Sequence, residues 1–366
     1  MSKPAPNVTL HVVQHLRPGG IEVLALEILR NSPRGEEVHV ASLEGNARTA
    51  AAAWPRLQPH LPRLHFLGKR PGVRPGVVRD LRALIARIGA TAVHTHHIGP
   101  LIYGGCAARL AGVEALAHTE HDVWHLRRPK DRTLSGLAFD LFRPLLLTPA
   151  RQMADTLHRI WPRLDVRVVH SGIDTTRFTP GDKVASRQAV GLPRTAILIG
   201  TAGRLEQEKN HRLLLSALAK LPSTVHLAVA GSGSQAEALA AETKRLGLAN
   251  RVHWLGHVED MPRFYRALDV FCLPSSAEGL PVAALEAQAC GIPAVVTDVG
   301  GTMEALCPVT GRLVPPGNVE AFAAALHDQA LRVRPSSPRP HVVERWDIRK
   351  MASAYASIAH DMPNAA

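Results

Sequence analysis

The stretch PSSAEGLPVAALEAQACGIPAVVT, residues 274–297, decides the fold. The short apolar run before it, residues 268–273, predicts a buried parallel strand, and residues 294–297 predict the next strand. Between them we expect a small-residue loop and a helix that opens at Pro281, where a missing N–H group costs no hydrogen bond. The Ala-Cys-Gly sequence ends that helix. This order predicts a strand–loop–helix–strand unit of a parallel sheet.

Two carboxylates occupy defined places in this unit. Glu278 lies in the loop and Glu286 lies about two turns into the helix, where it can accept hydrogen bonds from a pair of sugar hydroxyls. The N–H groups of Gly279 and Leu280 lie at the helix N-terminus, which attracts phosphate oxygens. Glu278 would then face a second polyhydroxylated group beyond the phosphates. The alternative is that Glu278 caps the helix and Glu286 is a solvated charge. The favoured interpretation is a site for a nucleoside diphosphate that bears a sugar.

The run EGLPVAALEAQACGIPAVVTDVGG, residues 278–301, resembles the E-x7-E segment of retaining family-four glycosyltransferases of the GT-B fold. The resemblance covers nearly the whole chain and is strongest over residues 168–317. It implies an α/β protein with two Rossmann-like, doubly wound parallel-sheet domains that face a central cleft.

The resemblance also implies where the domains divide. The segment HSGIDTTRFTP, residues 170–180, resembles the interdomain segment of that family, with Ser171 where asparagine is usual. We therefore expect an acceptor-binding domain over residues 1–172, with the C-terminal helix 346–366 packing back on it. Residues 173–345 are expected to form the domain that binds the nucleotide-sugar.

Size and charge agree with two domains and an anionic partner. The chain has 366 residues and a net charge of +12, and two domains are the expectation at this length. Before Thr175 there are 23 Lys and Arg against 14 Asp and Glu, and from there on 20 against 17. The basic half favours an anionic membrane face, a pyrophosphate-linked acceptor or nucleic acid. Nucleic acid is not expected, because no aromatic residues are interleaved with the basic ones and no DNA-reading motif occurs.

Compartment is predicted from what the sequence lacks. The N-terminal residues contain no apolar stretch of signal-peptide length, and no apolar run reaches about 18 residues. The four cysteines are scattered, and Cys272 and Cys290 fall in apolar elements, which favours reduced thiols. We expect a cytoplasmic protein.

Two features of the first half are candidates for the site. Gly19 and Gly20 separate the first strand from the first helix, and the resemblance implies that they close over the donor phosphates and the acceptor. His121 follows a predicted strand at residues 115–118. The resemblance implies a catalytic histidine here near the donor sugar, with His118 as the alternate.

No metal is expected. His94, His96 and His97 suggest a metal site, but residues along a strand alternate between its two sides, and no carboxylate or cysteine ligand is paired with them. The sequence also contains no D-x-D pair that would hold a metal-bound diphosphate.

The second half supplies the expected phosphate and base contacts. The resemblance implies that GRLEQEKN, residues 203–210, brings Arg204 and Lys209 to the diphosphate. Two fixed cations would stabilise the charge on a departing pyrophosphate, whereas the alternative is a salt bridge at a helix start. Gly231 lies in another turn suited to anions. The resemblance places the nucleotide base against His257 and Val258.

Basic segments predict contacts with anionic surfaces. Residues 63–87 contain seven basic side chains, and the second half of this segment has the apolar spacing of a helix. Its basic face either rests on anionic lipid or is an ordinary solvated face. A loop at residues 127–132 either contacts an anionic acceptor or is a solvated charge run.

The resemblance implies a retaining hexosyltransferase that uses a UDP- or GDP-sugar, and with the absence of a D-x-D pair we expect it to need neither metal nor cofactor. The acceptor implied by the resemblance is a hydroxyl of a glycan or lipid-linked molecule in cell-surface polysaccharide synthesis, with peripheral attachment to the inner membrane face. Retention without an obvious nucleophile indicates front-face attack, although Glu278 could act as nucleophile. The alternatives are a nucleotide-sugar epimerase or hydrolase on the same fold, and a transferase acting on a soluble small molecule.

Overall fold

The structure, a computed structural model, describes residues 7–331 and 336–361. The outermost ends of the predicted ranges 1–172 and 346–366 therefore lie outside the described residues. The chain divides into an N-terminal unit, Met1–Gly172 with Ile348–Ala366, and a C-terminal unit, Ile173–Asp347. None of the helices in the described residues combines the length and the hydropathy that a membrane crossing requires.

The N-terminal unit contains a seven-stranded parallel sheet in the order β3-β2-β1-β4-β5-β6-β7. Its strands are β1 (Asn7–Val13), β2 (Glu36–Ser42), β3 (Leu64–Phe66), β4 (Ala92–His96), β5 (Ala115–Thr119), β6 (Leu145–Thr148) and β7 (Val166–Val168). Its helices are α1 (Gly20–Asn31), α2 (Ala47–Ala53), α3 (Gly76–Ile88), α4 (Ile98–Leu110), α5 (Pro129–Phe142), α6 (Arg151–Ile160) and α15 (Ile348–Asp361).

Both faces of this sheet are covered, because the connections between parallel strands place helices on them. One face packs its apolar residues, such as Leu10, Val12 and Val93, against α3, α4 and α5. The opposite face packs against α1 and α15, which contact each other. Met351 and Tyr355 of α15 are buried in that second core.

The C-terminal unit contains a six-stranded parallel sheet in the order β10-β9-β8-β11-β12-β13. Its strands are β8 (Ile197–Ala202), β9 (Val225–Ala230), β10 (Val252–Gly256), β11 (Val270–Leu273), β12 (Ala294–Thr297) and β13 (Arg312–Val314). Its helices are α7 (Lys183–Ala189), α8 (His211–Ala219), α9 (Ala236–Arg245), α10 (Met261–Ala267), α11 (Val282–Ala289), α12 (Thr302–Ala305), α13 (Val319–Leu331) and α14 (Arg339–Arg345).

Each sheet has a point where its strand order reverses. In the N-terminal unit this point lies between β1 and β4, and in the C-terminal unit it lies between β8 and β11. Loops leave such neighbouring strands in opposite directions, so ligands of doubly wound sheets bind outside the carboxyl ends of the strands at this position. The α/β class with two parallel sheets is confirmed.

Several predicted boundaries were wrong by a few residues. The helix expected to open at Pro281 begins at Val282, with Pro281 as its N-cap. The strand expected over residues 268–273 begins at Val270, because the Asp269 carboxylate accepts a hydrogen bond from the backbone N–H of Leu198 at 2.7 Å.

Two larger segments were also assigned wrongly. The segment expected to be a loop at residues 127–132 already enters α5 at Pro129. Trp346, expected to pack on the first domain, is buried in the core of the C-terminal unit, and its carbonyl accepts from the Ile173 N–H at 2.8 Å. The return to the N-terminal unit therefore starts at Ile348.

Candidate functional site

A partly buried ion pair crosses the reversal point of the C-terminal sheet. Lys209 lies in a short 3-10 helix after β8, and Glu278 lies in the loop after β11. The Lys209 Nζ lies 2.7 Å from Glu278 Oε1, and Ser275 Oγ donates to the same oxygen at 2.6 Å. Glu278 is only 8% exposed. The fold therefore brings together two residues that the sequence analysis placed in one site.

Glycines allow the loops at this edge to approach one another. Gly231 has a φ of 144°, and a Cβ there would lie 1.8 Å from the Gly203 carbonyl oxygen. Gly300, with a φ of 56°, would place a Cβ 1.8 Å from the Glu278 carbonyl oxygen. Both positions require glycine, and Gly300 thereby permits the close packing of the loop that carries Glu278.

Glu286 has a buried partner. The hydroxyl of Tyr265, at the end of α10, donates to Glu286 Oε2 at 2.7 Å. Tyr265 is fully buried, and burial together with the Glu286 charge raises its pKa well above the usual value. The tyrosine therefore stays protonated as a donor. Glu286 is half-buried and hydrogen-bonded, so the alternative of a merely solvated charge does not describe it.

The other predicted donor contacts lie at the same edge of this sheet. Arg204 is exposed and forms an ion pair with Glu208, from Nη2 to Oε1 at 2.7 Å. This pair is the salt bridge that the sequence analysis weighed as the alternative role. His257 and Val258 directly follow β10, where His257 is exposed and Val258 packs partly against the core. Gly279 and Leu280 immediately precede Pro281, the N-cap of α11.

In the N-terminal unit the predicted glycine pair lies at the start of α1. Gly19 is the N-cap and its carbonyl accepts from the Val23 N–H at 2.9 Å, while Gly20 is the first helical residue. A Cβ at Gly19 would lie 2.3 Å from Glu22 Oε2. Glu22 is buried next to His15 Nδ1 at 3.2 Å, and burial raises the pKa of its carboxyl group.

The structure separates the two candidate histidines after β5. His118 is fully buried within the strand, and its ring nitrogens lie 2.9 Å from Thr95 Oγ1 and 3.2 Å from Glu120 Oε1. His121 lies beyond the strand end and is half-buried, and its Nε2 is 2.9 Å from Nδ1 of His96. Burial lowers the pKa of His121 well below its usual value. Of the two, His121 has the position of a site residue.

A histidine cluster lies directly beneath His121. Within residues 7–331 and 336–361, His11, His94 and His96 form the one group whose ligand-type atoms, all within 4.8 Å of one another, could hold a metal ion. His94 and His96 are two positions apart and lie on the same side of β4, so the alternation argument used against a metal does not separate them. Burial lowers the pKa of each ring. Metal independence therefore stays a prediction.

Two family models match the chain over most of its length. Residues 18–177 match the model described as Glycosyltransferase Family 4, and residues 182–334 match Glycosyl transferases group 1. This chain belongs to the group 1 glycosyltransferases. The predicted family is thereby confirmed.

The chain has curated relatives and structural neighbours. It is 41% identical over 198 residues to a D-inositol 3-phosphate glycosyltransferase of Mycobacterium sp. (strain KMS), which covers 52% of this chain and 44% of the relative. It is 40% identical over 179 residues to a protein of the same name from Kribbella flavida, covering 44% and 42%. The match thus spans less than half the length of these relatives. The structure of Anabaena Alr3699/HepE with UDP and glucose superposes with a TM-score of 0.81 at 21% identity, covering 96% of this chain and 98% of that one.

Sequence reasoning did not foresee three contacts in this chain that support the predicted residues. Tyr265 holds Glu286, Gly300 accommodates the Glu278 loop, and His96 contacts His121. A Gly-Gly pair after a strand hinted at Gly300, and the V-H-T-H pattern hinted at His96. No local pattern indicated Tyr265, because its contact depends on how α10 packs against α11.

Proposed function

We propose that this glycosyltransferase moves a hexose-type sugar from a UDP- or GDP-sugar to an acceptor hydroxyl with retention of anomeric configuration. The observation that carries the proposal is the Lys209–Glu278 pair at the reversal point of the C-terminal sheet. A partly buried ammonium group at this position suits a diphosphate, because it is a fixed positive charge that phosphate oxygens can reach. The donor therefore binds at the carboxyl edge of the C-terminal unit.

Each donor-site residue has a chemical task in this reaction. Lys209 and Arg204 stabilise the charge that develops on the departing diphosphate, and both exchange a carboxylate partner for phosphate oxygens. Glu286, held by Tyr265, accepts hydrogen bonds from the ribose hydroxyls. The bond from the sugar to the phosphate oxygen breaks as the acceptor oxygen attacks from the same face. The departing phosphate oxygen takes the acceptor proton, so no separate base is needed.

Glu278 is better suited to hold the sugar than to attack it. Its Oε1 accepts from both Lys209 and Ser275, and such hydrogen bonds stabilise the carboxylate and weaken it as a nucleophile. When Lys209 turns to the diphosphate, the carboxylate becomes available to sugar hydroxyls. No metal is required in this scheme.

Two acceptor classes suit the basic N-terminal unit. The curated relatives are named for D-inositol 3-phosphate, an anionic polyol, whereas the resemblance implied a glycan or lipid-linked acceptor. Inositol 3-phosphate and a lipid pyrophosphate-linked sugar both present hydroxyl groups next to phosphate. We expect an anionic acceptor of this chemistry, and an assay with inositol 3-phosphate and with lipid pyrophosphate-linked sugars distinguishes the two sources.

The test begins with the donor. UDP or GDP should raise the melting temperature of the full chain, whereas ADP should raise it less. With the matching sugar nucleotide and an acceptor, the anomeric proton coupling of the product measured by NMR should equal that of the donor. An inverted product contradicts the proposal, and release of free sugar without acceptor would support a hydrolase instead.

We further propose that an anionic membrane face is a partner of the N-terminal unit. Helix α5 exposes three leucines along one side, and we name these residues the leucine ridge. Their exposed fractions are 45% for Leu134, 64% for Leu137 and 72% for Leu141. Apolar side chains beside basic ones favour insertion at an anionic lipid surface. The exposed basic residues at the start of this helix are Arg127, Arg128, Lys130 and Arg132.

The basic face predicted at residues 63–87 lies in the same layer. Helix α3 packs on α4 and α4 packs on α5, all on one face of the sheet. Arg79 of α3 is 83% exposed and pairs with the neighbouring Asp80 at 3.1 Å, a contact that stabilises the fold little. A second copy of this cationic chain would be repelled by these charges, whereas anionic lipid would be attracted.

Vesicle co-sedimentation tests this partner. The triple variant Leu134→Ser, Leu137→Ser, Leu141→Ser should lose binding to vesicles containing anionic lipid, and charge reversal at Arg79 and Arg82 should weaken it. The matched control replaces three exposed apolar residues of the C-terminal unit, as Met303→Ser, Val309→Ser and Leu331→Ser. Equal binding by all variants, or a change of oligomeric state in the leucine variant without lipid, contradicts the proposal.

A further inference from the structure

Three histidines form a continuous chain from the interior of the N-terminal unit to His121. Nδ1 of His11 lies 3.0 Å from Nε2 of His96, and Nδ1 of His96 lies 2.9 Å from Nε2 of His121. We propose that His11 and His96 are positioning residues, which orient the His121 ring and couple its tautomer to theirs. The inference rests on the proposed function, and it adds to that function that His121, which lies just beyond the end of β5, contacts the substrate.

The fold places the chain at the reversal point of the N-terminal sheet. His11 of β1 lies opposite His94 of β4, and His96 is two positions further along on the same side. The facing rings are nearly parallel, at 18° between His11 and His96 and 29° between His96 and His121. His11 is 1% exposed and His96 is fully buried. Their ring nitrogens therefore depend on each other for hydrogen bonds rather than on bulk water.

Hydrogen bonding explains the close approach better than a shared metal does. Each link joins two ring nitrogens at hydrogen-bond distance, and His94 Nε2 lies 2.7 Å from Thr119 Oγ1. The cluster His11, His94 and His96 includes no carboxylate.

The three hydrogen-bonded histidines, His11, His96 and His121, allow only two arrangements of their ring protons. Burial keeps the rings neutral, and a neutral imidazole has one N–H donor and one acceptor nitrogen. If His121 accepts at Nε2, then His96 donates from Nδ1 and must accept at Nε2 from His11. If His121 donates from Nε2, each bond reverses. The three tautomers therefore change together.

This coupling determines whether Nδ1 of His121, which makes no bond to the other two histidines, is a hydrogen-bond donor or an acceptor. It is a donor in the first arrangement and an acceptor in the second. A sugar hydroxyl held by this nitrogen has a defined orientation only while the chain keeps one arrangement. Breaking the chain at His11, two rings from His121, should thus disturb the site without removing any group that contacts substrate.

The ring nitrogens can be observed directly. In the full chain labelled with ¹⁵N at histidine rings, two-bond proton–nitrogen correlations report each tautomer, and the His121 signals are assigned by their loss in His121→Asn. We expect one tautomer at His121 in the wild type and nitrogen shifts of a mixture in His11→Phe. The kcat should fall about fivefold, the effect of one weakened hydrogen bond, with the donor KM nearly unchanged.

A matched control exists in the same unit. His39 Nδ1 lies 3.0 Å from His65 Nε2, and these rings are stacked at 25°, but neither bonds to His121. His39→Phe should therefore leave the His121 shifts and kcat unchanged. At the central position, His96→Gln keeps a donor and an acceptor, so it should retain more activity than His96→Leu.

Two results would overturn the inference. The first is an unchanged His121 tautomer in a folded His11→Phe protein. The second is stoichiometric Zn²⁺ binding by the wild type that is lost in His94→Phe, which would identify a metal site. A protein that transfers no sugar refutes the proposed function, but the NMR comparison still decides whether the chain couples its tautomers.

Discussion

The carboxyl edges of the two sheets share a reversal of strand order, but one carries charged side chains and the other carries neutral ones. At the reversal point of the C-terminal sheet, Lys209 and Glu278 form a partly buried ion pair. At the corresponding point of the N-terminal sheet, His11 and His96 form a hydrogen-bonded pair of neutral rings. Fixed charge suits a diphosphate, whereas neutral donors and acceptors suit hydroxyl groups. Strand order provides the position of a site, and the side chains provide its chemistry.

The largest effect should come from the charged edge. We expect Lys209→Met to lower kcat/KM about 100-fold or more, because a fixed cation next to the departing diphosphate is lost. Arg204→Ala should also abolish most activity if its guanidinium leaves Glu208 for phosphate. The control is Lys220→Met, which breaks an exposed pair with Glu320. Near-normal turnover in a folded Lys209→Met variant would contradict the assignment of Lys209 to the diphosphate.

The buried neutral histidines of the N-terminal sheet should make the stability of the protein depend on pH. Burial lowers the pKa of His11 from 6.5 to about 4, so the unfolded chain binds a proton there at a higher pH than the folded chain does. Stability is therefore full above pH 6.5 and is lost as the pH falls toward 4. His11 alone should account for about 2 kcal/mol at pH 5.

Urea unfolding at pH 7 and pH 5 measures this loss. The wild type should have a clearly lower midpoint at pH 5, and His11→Phe should reduce the difference between the two midpoints. If the wild-type midpoint does not change with pH, the rings are not held neutral and the contrast between the two edges is lost.

A smaller effect should come from the support of Glu286. Removing the hydroxyl in Tyr265→Phe takes away one hydrogen bond to a charged group, worth about 1.5 kcal/mol, so the donor KM should rise about tenfold. The control is Tyr103→Phe, whose hydroxyl accepts from the Arg74 N–H in the other unit. An unchanged KM in Tyr265→Phe would mean that Glu286 does not hold the nucleotide.

Chelation should have no effect. Because we propose that Lys209 and Arg204 take the place of a metal, we expect activity to persist after dialysis against EDTA, with and without added Mg²⁺ or Mn²⁺. A metal requirement would turn attention to His94, His96 and Asp122 as ligands and would remove the distinction between the two edges.

Much of the fold could be predicted from the sequence because its signals are local. Apolar runs, the Ala-Cys-Gly helix end and the spacing of Glu278 and Glu286 all lie within a few turns of one another. The errors occurred where a tertiary contact intervened, as at Asp269, which shortens β11, and at Trp346, which belongs to the C-terminal core.

The sequence by itself determined the family, the parallel α/β units and the identity of the charged residues at the C-terminal edge. The partners were decided only by the tertiary structure. Lys209 meets Glu278 across 69 positions, His11 meets His96 across 85, and Tyr265 meets Glu286 across 21. Periodicity reports which side of its own strand or helix a residue occupies. Which strands become neighbours depends on the packing of the whole sheet, because strands adjacent at a reversal point are distant along the chain.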